Sequence, residues 1–191
     1  MAEFSCDPVL NDYVSANKET LKQITISELA SSDLAFQQAV FRSFDAVKKR
    51  EIWLNKIQIL LETQEYSEDA YLHITKLFDY ISVGFFEKDN IDSHSKENAE
   101  FASDWIKYAK NNLGWSNKDV AFVIYRLYTK QDQFNAELNS LIKIQQKATT
   151  NSECNCNSST DFCFGSCNAG SCAISSACGF AWSQECNGVC N

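Results

Sequence analysis

Cysteine is the residue type through which this chain could do chemistry. Eight of its nine cysteines are Cys154, Cys156, Cys163, Cys167, Cys172, Cys178, Cys186 and Cys190, in a final stretch reading CNCNSSTDFCFGSCNAGSCAISSACGFAWSQECNGVCN. They make up about a fifth of that stretch, well above the roughly 8–10% that marks a disulfide scaffold. Three sulfur chemistries compete. Structural zinc takes ligands in pairs two to four residues apart, often with histidine. Only Cys163/Cys167 and Cys186/Cys190 approach that spacing, and the stretch holds no histidine, lysine or arginine to offset metal-bound thiolates. Thiol redox catalysis wants a CxxC in an electropositive setting, and neither is present. Four disulfides are therefore expected, with no metal and no cofactor. Eight cysteines pair in about 105 ways, and spacing does not select among them.

Other catalytic chemistry finds little footing. His73 lies beside an apolar stripe and His94 in a polar stretch, and neither belongs to HExxH or an i,i+4 pair. Both read as surface or core-edge residues. There is no GxSxG, Walker loop or GxGxxG. Four of the six glycines fall in the cysteine-rich stretch, so the rest has little backbone able to cradle a phosphate. The expectation is a protein that is not an enzyme.

The elements that position the cysteines divide the chain. Residues 1–144 read as an all-helical domain, 145–153 (QQKATTNSE) as a polar linker, and 154–191 as a small disulfide-stapled module. Asp7-Pro8 opens a helix whose apolar residues recur at three, four and seven. Thr25 with Glu28 and Ser116 with Asp119 are capping-box candidates, Ser32 or Asp33 and Ser67 are further caps, and Gly84 and Gly114 are stops. Phe36, Val40, Phe44 and Val47 run on into Ile52, Trp53, Ile57 and Leu60 as one pattern. Tyr71, Ile74, Leu77, Phe78 and Ile81 form a buried stripe. The fold class expected is all-α, a bundle of six or seven helices followed by the module. Phe36, Phe41, Phe44, Trp53, Phe78, Trp105 and Trp115 are expected in its core.

Net charge is −8 without a basic stripe, which excludes phosphate-driven nucleic-acid binding. No apolar run is long enough to span a bilayer. Disulfides require an oxidising compartment, yet MAEFSC has neither a basic nor an apolar signal region. An extracellular or cell-surface location is expected, with the export signal already removed ahead of this sequence. Cys6 then reads either as a lipid-anchored cysteine or as an odd thiol without a partner. About 40 residues cannot hide all the module's apolar side chains, so some are expected to lie exposed, with Phe162, Phe164, Phe180 and Trp182 as a contact surface, or to dock on the helical domain.

One family has this cysteine pattern. Cys154, Cys156 and Cys163 as C-x-C-x6-C, Cys178-Gly179 with Trp182, the closing Cys186-Asn187-Gly188-Val189-Cys190, and Asp161-Phe162-Cys163 together resemble the bacteriocin fulvocin C-related proteins of Bacteroidetes-type bacteria. FRSFDAVKKREIWLNKI and WIKYAKNNLGWSNKDV are also similar to family segments. The resemblance implies export, disulfides and an antibacterial peptide module. On this reading the chain is an exported bacterial protein that binds an unknown protein or cell-envelope target through a bacteriocin-like module. The alternatives are a cell-surface structural or interaction protein without killing activity, and a ribosomal peptide precursor with a helical leader. Oligomeric state is not legible.

Overall fold

The computed structural model describes residues 3–87, 95–144, 155–159, 161–163 and 166–190, with backbone alone at 141–144 and 171. The linker 145–153, His94, Cys154 and Phe164 lie outside them.

Side-chain caps set most of the helix starts. The Asp7 carboxylate accepts the Val9 and Leu10 amides ahead of α1 (Pro8–Leu21), with Pro8 at its first position. Thr25 and Glu28 close a capping box on α2 (Ile26–Leu29). Asp33 caps α3 (Leu34–Arg42), Asp45 caps α4 (Ala46–Thr63) and Ser67 caps α5 (Glu68–Ser82). Then come α6 (Ser95–Asn111), α7 (Asn117–Ile124, opened by the Ser116/Asp119 box) and α8 (Gln131–Ile144). Gly114, at φ +68°, takes the left-handed turn that separates α6 from α7.

The chain is mostly helical but not all-α. Its cysteine-rich end forms a two-stranded antiparallel sheet, β1 (Cys167–Cys178) against β2 (Gln184–Cys190), joined through a single 3₁₀ turn at Phe180–Trp182. Cys167 faces Cys190 and Ile174 faces Cys186, with register irregularities between, and Cys156 adds a lone bridge to Gly188. Small residues hid these strands: NAGS and SSA offer no apolar/polar alternation. Eight α-helices stand among the described residues, more than the expected six or seven. The extra break falls at Ser43–Asp45, where Phe44 and Val47 kept the helical period going while Asp45 restarted the helix. Val47 and Tyr71, expected inside, are exposed.

One hydrophobic core runs through both parts. Val14, Leu29, Phe41, Trp53, Ile57, Leu60, Ile74 and Trp105 share it with Ala177, Phe180, Ala181 and Trp182. The described residues on either side of 145–153 thus share one core. No helix among the described residues is long and apolar enough to cross a membrane.

Candidate functional site

The seam between the helices and the hairpin concentrates the unusual side chains. The hairpin turn drives its largest residue inward. Gly179, Ala181 and Trp182 all take positive φ, so the chain doubles back between the strands. Left-handed backbone at Ala181 and Trp182 is costly, on the order of 1–2 kcal/mol per residue, and it persists because burial outweighs it. Trp182 is 1% exposed. Its ring meets Phe41 edge-on at 5.3 Å and Trp53 at 6.3 Å, and its indole N–H reaches the Tyr125 carbonyl. Phe180 sits among Phe85, Phe101 and Trp105.

Buried polar groups of the helices then satisfy the hairpin backbone. Arg42 donates from Nε to the Ser176 carbonyl (2.9 Å), from Nη1 to the Phe4 carbonyl (2.7 Å) and from Nη2 to Cys186 Sγ (3.0 Å). Gln38 Nε2 donates to the carbonyls of Ala177 and Asn155. Arg126 pairs with Glu137 at 2.9 Å, donates to the Tyr125 carbonyl and lies 4.0 Å from Asp161. The Asp161 carboxylate in turn accepts the amides of Asn157, Phe162 and Gly179. Burial pushes the Asp161 carboxyl above its ordinary range, against the pull of Arg126 and those three amides. Lys56, fully buried, gives its ammonium to the carbonyls of Phe122, Val123 and Arg126 at the end of α7. Burial lowers its pKa, with Arg126 adding to the effect.

Four disulfides are formed, three within the cysteine-rich end (Cys156–Cys167, Cys163–Cys190 and Cys178–Cys186) and one, Cys6–Cys172, tying it to the start of the chain. Two expectations are corrected here. Cys6 is neither an unpartnered thiol nor available for a lipid thioether, because its sulfur is bonded to Cys172, 166 residues away. The bridges are also not confined to the eight clustered cysteines. Of the two readings of the module's aromatics, docking on the helical domain is the one observed for Phe180 and Trp182. Phe180 and Trp182 are buried in the helical core, and Phe162 is half-buried against Phe134. The helical layer supplies the apolar partners that the module by itself lacks.

His73 is a core residue. Its ring stacks between Trp105 (4.4 Å) and Tyr108 (4.7 Å), Nε2 donates to the Trp105 carbonyl, and the Trp105 indole N–H donates to the His73 carbonyl. Burial lowers its pKa, the Trp105 carbonyl opposes this, and Lys76 adds to the lowering.

Open space at the seam is of two kinds, a larger cleft of mixed lining and a smaller polar one. A cleft of about 700 Å³ lies between the start of α3, α8 and β2, lined by Ser32, Asp33, Tyr128, Glu137, Ser140 and Asn155 among others. Its carboxylates are already engaged, Asp33 on the Phe36 amide and Glu137 on Arg126. Its one cysteine, Cys190, is in a bridge. A second cleft, of about 360 Å³, brings Lys110, Ser158, Ser159 and Asp161 beside Cys163 and Cys167.

Gln38, Arg42, Lys56 and Arg126 escaped the sequence reading because basic and amide residues on helices default to solvated faces. One signal was there: Arg126 stands alone in an otherwise apolar and aromatic run, VAFVIYRLY. Compared with known proteins, the chain matches no family model, no curated protein sequence and no solved structure.

Proposed function

We propose that this chain is an exported bacterial protein, non-enzymatic, that acts by binding at the cell surface or outside the cell. In this reading the cysteine-rich end is a permanent part of the fold. The observation that carries it is the double attachment of the hairpin, through Trp182 in the shared core and through Cys6–Cys172. Four disulfides support an oxidising, extracytoplasmic setting. The acids of the seam clefts already have partners, which favours binding over catalysis.

The bacteriocin-like reading rests on the cysteine pattern. Against a freely released peptide stand the same two attachments, since a cut in 145–153 leaves the peptide tied to Cys6. The test is fractionation of the native producer in the presence of a thiol-alkylating reagent. Oxidised protein at the surface or in the medium is the expected result; reduced protein in the cytoplasm overturns the reading. Growth inhibition by the cleaved and released peptide, with none by intact protein, would restore the killing module.

A further inference from the structure

We propose that Cys156, Cys163, Cys167 and Cys190 form a soft-metal site in the reduced chain, taking one zinc-class ion. The Sγ atoms of Cys156, Cys163 and Cys167 lie within 4.8 Å of one another, although they come from two different bridges. Cys190 is bonded to Cys163, so a fourth sulfur adjoins the group. A tetrahedral thiolate site with metal–sulfur bonds of about 2.3 Å has sulfur–sulfur edges of about 3.8 Å. Opening each bridge to a metal-spanned pair asks for less than about 2 Å of extra sulfur separation, which χ1 rotation supplies. Cα separations are 6.1 Å for Cys156 and Cys167 and 5.3 Å for Cys163 and Cys190, and Cys190 Sγ, which lies beyond the 4.8 Å group, must swing inward to complete the site.

Most of the ligand backbone is held by bonds other than disulfides. Cys167 and Cys190 face each other across the hairpin, and Cys156 pairs with Gly188. The Cys190 amide also donates to Asn155 Oδ1 at 2.9 Å. Gly188 is the floor of the cluster. A Cβ there would stand 2.4 Å from Cys167 Sγ and 3.2 Å from Cys156 Sγ.

Charge is the objection raised by the sequence, which has no cation between Cys154 and Asn191. The fold answers it from the helices. Lys110 lines the cleft that opens onto Cys163 and Cys167. Arg126 also reaches the Phe162 carbonyl next to Cys163, but its charge is already matched by Glu137, so Lys110 is the cation that this cleft adds. The other two bridges lie outside this sulfur group, and Cys178 and Cys186 are fully buried. The chain would thus keep its hairpin closed by disulfides when oxidised and by metal when reduced.

The chemistry balances with a phosphine reductant. Each disulfide takes two electrons and two protons, and the phosphine leaves as its oxide with oxygen from water. A divalent ion then displaces the four thiol protons.

The full chain, reduced by a phosphine without oxygen, is titrated with Co²⁺ and then Zn²⁺, and its cysteines are footprinted by alkylation and mass spectrometry. One ion per chain retained through gel filtration is expected, with the visible spectrum of tetrahedral cobalt thiolate. Zinc should slow alkylation of Cys156, Cys163, Cys167 and Cys190 at least tenfold, and leave the alkylation rates of Cys6, Cys172, Cys178 and Cys186 as they are without metal. Cys178→Ser/Cys186→Ser should bind as the native chain does, and Cys163→Ser/Cys190→Ser should lose the cobalt spectrum. No retained ion overturns the proposal, as does protection that falls on other cysteines, with Cys154 replacing Cys190 included. The footprint on the native sequence decides the matter even where a variant does not fold.

Discussion

The Trp182 indole N–H donates to the Tyr125 carbonyl at 2.9 Å, so a residue of the cysteine-rich hairpin satisfies the last turn of a helix more than fifty positions earlier. That carbonyl also accepts Arg126 Nη1 at 2.8 Å. The hairpin is therefore wired into the helical layer, and its loss is a loss of core. Trp182→Ala should destabilise the whole chain by about 3–5 kcal/mol, the usual cost of emptying a large aromatic site. Chemical denaturation followed by far-ultraviolet circular dichroism and by tryptophan fluorescence checks this. The two probes should shift together; a helical signal unchanged while fluorescence moves would mean that the hairpin is an independent unit.

Cys6–Cys172 closes most of the chain into a ring. Removing it as Cys6→Ser/Cys172→Ser should cost about 2–5 kcal/mol, mainly by freeing the unfolded chain. It also fixes what proteolysis can do. After a cut within residues 145–153, native protein should run as one species without reductant and as two with it. The double-serine variant should separate under denaturing conditions without reductant.

Local signals carried much of the helical layer and little of the seam. Asp7-Pro8, Thr25/Glu28, Asp33, Ser67 and Ser116/Asp119 act on amides two or three residues away, and each stands where the sequence placed it. Asp45 acts the same way but was masked by an apolar period that runs unbroken through Phe44. The seam depends on separations that no local pattern encodes. Arg42 meets Cys186 across 144 positions, and Gln38 meets Ala177 across 139. The module's apolar excess left exposure and docking both open for Phe180 and Trp182, because their partners Phe41, Trp53 and Trp105 come from α3, α4 and α6.

His73 gives the fold a pH dependence with a defined sign. Its folded pKa lies below the ordinary value of about 6.5, so the unfolded chain binds the proton more readily. Its contribution is complete above about pH 6.5 and shrinks as pH falls from there through the folded pKa. His73→Gln keeps a donor toward the Trp105 carbonyl but cannot titrate. Unfolding free energies from urea curves at pH 7.5 and 5.5 should differ less for the variant than for the native chain. An equal difference would assign the acid sensitivity to other groups.

Lys56 should tolerate substitution poorly. Its ammonium is the shared donor for three carbonyls at the end of α7, and it also lies over the Trp53 ring at 4.9 Å. Lys56→Met keeps much of the volume and leaves those carbonyls without this donor, at about 1–3 kcal/mol for each buried group left unsatisfied. Denaturation midpoints should fall by more than for Lys107→Met, where the lysine is a solvated ion-pair partner on α6. The damage should also spread into the seam, because Tyr125 and Arg126, which hold Trp182 and Asp161, follow the same turn. Hydrogen exchange at the Trp182 indole reads that spread, and an indole as protected in Lys56→Met as in the native chain would confine the role of Lys56 to α7.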